Sequence, residues 1–217
     1  VIGRSFPLDL LLAVTDASDE AVLDLLEEAG KAQLLRAERG PEPRYTFAHE
    51  LIRATLVSAM ALPRRQRLHA RVADAIEGLR GAARDAHLSM LAHHLYQAGA
   101  AVDIERTTRV LLEVMARAQA SGAFEEVLAL GEQLLALDLA ADSEERATVE
   151  DTVAAALLAL RRPGEAVGPA TRALEIWRQL RNDAGLHRAG TYIAHGHLRS
   201  NRIREGIEAM TRALDAL

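Results

Sequence analysis

Three short segments of this 217-residue chain superimpose at a nearly constant interval, and no other feature constrains the fold as tightly. Glu126-Val127-Leu128, Glu165-Ala166-Val167 and Glu205-Gly206-Ile207 align, which places Val127, Ala166 and Gly206 at spacings of 39 and 40 residues. Four positions on come Gly131, Ala170 and Met210; three further come Leu134, Ala173 and Ala213, each followed by Leu. Small residues at such positions let paired helices approach closely, and each pair leaves an apolar face for its neighbour to cover. A 3.6-residue period alone would align any two amphipathic helices. The recurrence after similar breaks, at Ser121-Gly122, Arg162-Pro163-Gly164, Asn182-Asp183 and Ser200-Asn201, predicts stacked helix hairpins over residues 81–217. The apolar stripe Ile207, Met210, Ala213, Leu214 and Leu217 has no polar capping helix after it. It predicts an incomplete array and a parent chain that continues past Leu217.

Composition agrees with helices packed over small side chains, since aromatic residues make up only 3%. They offer few platforms for stacking bases. There is no cysteine, which excludes disulfides, thiolate metal sites and cysteine nucleophiles and permits a reducing cytoplasm, the expected location. No apolar run reaches the roughly 18–20 residues of a membrane span. The chain starts at Val1 rather than Met, so a missing leader says little about a parent protein. The net charge of −5 argues against DNA as the main partner.

Residues 1–80 read differently. Val1 to Val14 is expected to be a short helix carrying Phe6, Leu8, Leu11 and Leu12. Ser18 should cap a second helix whose buried face is Val22, Leu25, Leu26 and Ala29, with Gly30 as a left-handed terminus. The period then falls to 2. Leu35 and Ala37, then Tyr45 and Phe47, alternate with charged or polar residues around Arg39-Gly40-Pro41-Glu42-Pro43, which predicts one hairpin. A helix from about Glu50 to Ala61 should turn Leu51, Ile52, Thr55, Leu56 and Ala59 inward. Another, Arg64 to Leu79, carries Leu68, Val72, Ala75, Ile76 and Leu79. The order helix, helix, hairpin, helix, helix is winged-helix-like.

Three stretches strengthen this: Val1-Ile2-Gly3-Arg4-Ser5-Phe6, Tyr45-Thr46-Phe47-Ala48-His49-Glu50-Leu51-Ile52-Arg53 and Arg64-Arg65-Gln66-Arg67-Leu68-His69. Leu91-Ala92-His93-His94-Leu95-Tyr96-Gln97-Ala98-Gly99 fits the helical pair that follows. Together they resemble the region after the nucleotide-binding domain in bacterial signal-transduction ATPases with numerous domains. Large LuxR-type transcriptional regulators and cyclase-linked ATPases belong to that family. The resemblance implies a mainly α fold: a winged-helix-like domain (1–80), then a right-handed α-solenoid of tetratricopeptide-like hairpins (81–217). It implies ATP or ADP in the parent protein, an upstream nucleotide-binding domain as partner, and an unknown effector or protein on the helical array. His49 occupies the motif position from which a histidine contacts a nucleotide phosphate. The sequence lacks a GxxxxGK[ST] phosphate loop, so no catalysis and no cofactor are expected of the chain itself.

Other candidates carry blander expectations. His87, His93 and His94 lack the i, i+4 spacing of a zinc site, His93 is expected to point away, and no metal is expected. Arg64, Arg65, Arg67 and Arg71 read as a solvated helix face more than a phosphate contact. Asp24, Glu27 and Glu28 would repel DNA from the helix before the hairpin. Glu144-Glu145 and Glu150-Asp151 read as surface charges. Trp177, Tyr192 and Met210 are the candidate effector or partner surface. The rival functional reading is a stand-alone tetratricopeptide scaffold binding a protein segment; a histidine-based metal hydrolase is the remote third.

Overall fold

In the computed structural model, residues 1–38, 40, 43–79 and 85–214 are described. The structure is mainly helical with a small three-stranded antiparallel sheet. It divides into two compact units, Val1–Thr107 and Thr108–Leu217.

The first 14 residues are not one helix. Ser5–Pro7 forms strand β1 and only Leu8–Ala13 is helical (α1). Pro7 is extended (φ −74°, ψ 150°), and its ring nitrogen has no proton to donate to a helix running back through it. Phe6 is thereby turned into an aromatic cluster, its ring 6.3 Å from Tyr45 and 6.1 Å from Phe47. Ser18 caps α2 (Asp19–Lys31) by accepting the Ala21 amide. Gly30 stays helical, and the left-handed residue is Gln33 (φ 58°), after which Leu34 N–H bonds the Ala29 carbonyl at 2.9 Å. Val22 and Leu26 are buried, but Leu25 is exposed.

The expected hairpin is part of a larger sheet. Strands β2 (Leu35–Glu38) and β3 (Arg44–Phe47) pair antiparallel, with Leu35 opposite Phe47 and Glu38 opposite Arg44. β1 adds to the other side of β3, giving the order β1-β3-β2. Of the predicted loop, 39, 41 and 42 lie outside the described residues. Helix α3 (Glu50–Ser58) is shorter than expected and contacts mainly β3. Leu51 (76% exposed) and Leu56 (50%) face solvent in this unit, contrary to the expected inward stripe. Helix α4 (Leu62–Gly78) has Pro63 in its first turn, where a missing N–H costs nothing. It packs on α5 (Leu88–Ala98) through Val72, Ala73 and Ile76, whereas Leu79 lies past its end and is exposed. Gly99 (φ 50°) opens a single 3-10 turn, Gly99–Ala101.

The second unit contains most of α6 (Ile104–Ser121), then α7 (Phe124–Leu135), α8 (Glu144–Ala159), α9 (Pro163–Gln179), α10 (Asp183–Arg199) and α11 (Ile203–Leu214). From α7 on, each helix packs on the next, and α8 also touches α10. The small positions of the 39–40-residue echo are buried, including Gly131, Ala166, Ala170, Ala173 and Gly206. A Cβ on Gly131 would lie 2.5 Å from Val153 Cγ2, so this glycine permits the close approach of α7 and α8.

One turn recurs. Gly122, Arg161, Arg181 and Asn201 all have φ between 53° and 77°. At each, the next amide bonds a carbonyl five residues back: Ala123 to Ala118, Arg162 to Leu157, Asn182 to Trp177 and Arg202 to His197, at 2.8–3.0 Å. This is a left-handed C-terminal motif closed by backbone alone. The last three copies lie 20 residues apart, so a pair of helices occupies 40, the spacing of the echo.

Candidate functional site

Trp177 is almost fully buried (2% exposed) on α9, so it cannot offer its ring to a partner as part of an open surface. The reason lies in its neighbours. Its ring packs with Ala147, Ala173, Ile176, Leu186 and Ala189, and Gly185 leaves room for it; a Cβ there would fall 2.4 Å from Cδ2. A buried indole N–H needs an acceptor. Asp151 on α8 supplies it: Trp177 Nε1 donates to Oδ2 at 2.9 Å.

That carboxylate organises a constellation drawn from three helices. Arg188 of α10 donates from Nε to the same oxygen at 2.7 Å, and its guanidinium carbon stands 5.6 Å from the Trp177 ring centre. Beside it, Glu150 receives Arg172 of α9 through two parallel hydrogen bonds of 2.7 and 2.8 Å. Glu150 and Asp151 are 1% and 3% exposed, which overturns their reading as surface charges. Both arginines remain exposed. The arrangement is therefore a pair of outward guanidinium groups held from below by buried carboxylates. Tethering of this kind removes side-chain freedom that binding would otherwise have to suppress.

Burial pushes Asp151 above the usual carboxylate range, while Trp177 and Arg188 pull it back. Its Oδ1 is buried and unpartnered among the described residues. Tyr192 is half-buried against Ala154, Ala170 and Ile193; burial, then the Asp151 charge, raises its hydroxyl pKa. Met210 falls within α11, but its side chain lies outside the described residues. The structure thus brings Trp177 and Tyr192 near one carboxylate, one as core and the other at its edge.

In the first unit a second constellation joins α4 to α5. His69 (6% exposed) and His94 (1%) place their Nδ1 atoms 2.9 Å apart. His94 also bonds the Ile2 carbonyl, which can only accept. Across the His69–His94 contact one Nδ1 carries the proton and donates while the other offers its lone pair, so each neutral ring satisfies the other. Burial, reinforced by neighbouring positive charge, lowers His69 to about 4 and His94 to about 3. The His93 ring stands 5.9 and 5.3 Å from these two but is exposed where His94 is buried. Among the described residues, no group of three or more His, Cys, Asp or Glu is arranged to hold a metal ion. No helix among them is long and apolar enough to cross a membrane.

His49 is exposed at the start of α3 and makes no side-chain capping bond. Its neighbours Glu50 and Arg53 pair with each other, Nε to Oε1 at 2.7 Å, so neither engages it in that pair. Arg64 and Arg67 are exposed, and Arg71 pairs with Asp16. Sequence reasoning read Glu150 and Asp151 as surface charges and missed Arg172, Arg188 and the buried role of His69. A single signal was present: a lone Trp in an apolar helical face requires a nearby acceptor. No protein-family model matches the chain, and no curated protein matches it significantly.

Proposed function

We propose that this chain is the regulatory and effector- or partner-binding region of a nucleotide-switched bacterial signalling ATPase, in a transcriptional regulator. On this reading, residues 1–80 form a winged-helix-like lid over a nucleotide-binding domain. The helices after it form a right-handed solenoid of tetratricopeptide-like hairpins that receives the signal. The observation that carries the proposal is the repeated left-handed turn at Gly122, Arg161, Arg181 and Asn201, which matches the 39–40-residue echo of the sequence. Four of the five connections between α6 and α11 use this one turn, which favours a regular stack, the architecture suited to an extended binding surface.

The chain's part is conformational and requires no bond chemistry from its own residues. An effector that favours the open state by about 1.4 kcal/mol shifts the equilibrium tenfold. His49 is the link to nucleotide, exposed and unengaged as a cap. In the full-length protein, His49→Ala is expected to weaken ADP binding about tenfold, the scale of one charge-assisted hydrogen bond. Calorimetric titration of ADP reads this directly, and an unchanged affinity removes the nucleotide link.

A further inference from the structure

We infer that the pocket beside the α8–α9 turn binds a small organic phosphate monoester. The pocket has a volume of about 550 Å³ and is lined by Leu158, Ala159, Arg161, Pro163 and Arg199. That volume falls within the range of small-molecule sites, roughly 300–1,000 Å³. The inference names a ligand class for the second unit and does not rest on the nucleotide-switch reading.

The charge distribution carries the argument. Nearby arginines are neutralised in place: Arg162 forks onto Glu165 at 2.7 and 2.8 Å, Arg172 onto Glu150, and Arg188 onto Asp151. Arg161 and Arg199, the two that line the pocket, have no carboxylate partner among the described residues. Arg202 is also unpaired there and extends toward the same turn; a Cβ on Gly164 would lie 3.7 Å from its Nη2 and 3.5 Å from Ser200 Oγ. The single carboxylate in this turn, Glu165, is already committed to Arg162. Unopposed guanidinium groups bordering one cavity repel each other, and an anion between them relieves that repulsion.

The ligand's chemistry follows from the lining. A phosphate monoester carries close to two negative charges at neutral pH and presents several acceptor oxygens to planar guanidinium forks. A carboxylate brings one charge and fewer oxygens. Leu158, Ala159 and Pro163 add a minority of carbon to a mainly polar lining, and the organic group of an ester can rest on it where bare phosphate has nothing to place there.

Phenyl phosphate, inorganic phosphate and benzoate test the assignment by calorimetric titration of the whole chain. Phenyl phosphate is expected to saturate, to bind more tightly than either other probe, and to lose about tenfold or more in affinity in Arg161→Gly and in Arg199→Ala. Arg161→Gly is the safer variant for the fold, because glycine accepts the left-handed backbone at this position (φ 59°). Circular dichroism should show both variants helical. No saturation up to about 10 mM phenyl phosphate overturns the proposal, that being far weaker than a specific small-molecule site. Equal binding of benzoate, or unchanged affinity in Arg161→Gly, overturns it as well.

Discussion

At the scale of single residues, the buried polar groups make the sharpest predictions. His69 and His94 have an ordinary unfolded pKa near 6.5 and folded values of about 4 and 3. The unfolded chain therefore takes up protons that the folded one refuses. Their contribution to stability is complete above pH 6.5 and is lost as the pH falls from there toward 4, at about 1.4 kcal/mol per pH unit for each histidine. Urea unfolding followed by circular dichroism at pH 7 and pH 5 should show the loss. The ring NMR signals of both histidines should stay flat between those values; a midpoint near 6.5 would contradict the buried pair. Asp151 behaves differently. Asp151→Ala should cost about 3 kcal/mol, because it strands the Trp177 N–H and frees Arg188. Asp151→Asn keeps an acceptor without a buried charge and should cost well under half as much. Fluorescence of Trp177, the single tryptophan, reports both unfolding midpoints. The need of Trp177 for an acceptor was legible, but not the residues that meet it or the buried histidine pair. Asp151 and Arg188 stand 37 residues apart and His69 and His94 25 apart, so burial and partnership arise only when helices meet. A carboxylate pair on an isolated helix carries no sign of which side will be covered.

At the scale of elements, legibility depended on length and on punctuation. The helix breaks at Gly122, Pro163, Asn182 and Asn201 were readable because each residue type has its own backbone reason to end a helix. β1 was not, since three residues cannot display a period and Phe6 fits a helical stripe equally well. The α3 face was misjudged because an amphipathic pattern names a side to bury but not the element that buries it. Two substitutions test the turns and crossings. Arg181→Gly should stabilise the second unit by about 1 kcal/mol, since a Cβ is disfavoured in the left-handed region. Gly185→Ala should destabilise it by about 2 kcal/mol or more, because the new methyl meets the Trp177 ring. Both are read from thermal or urea unfolding of the whole chain.

At the scale of the whole molecule, large apolar side chains stand exposed in both units, Ile203 and Ile207 among those of the second. Leu25, Leu51, Leu56 and Leu62 of the first unit are each half exposed or more. They add little to the stability of that unit, so Leu51→Gln with Leu56→Gln should leave the melting transition within about 0.5 kcal/mol of the parent while improving solubility. A large loss of stability would mean that α3 is held by more than β3. The repeated turn has the opposite economy of side chains. Each copy closes on main-chain atoms, and glycine, arginine and asparagine all occur in it. A joint that needs no side-chain partner can be duplicated or removed as a block without reinventing the connection, and its residues can drift afterwards. That explains how regular geometry coexists here with so faint an echo in the letters. It also makes the number of helix pairs, more than their individual composition, the quantity that selection can adjust in one step.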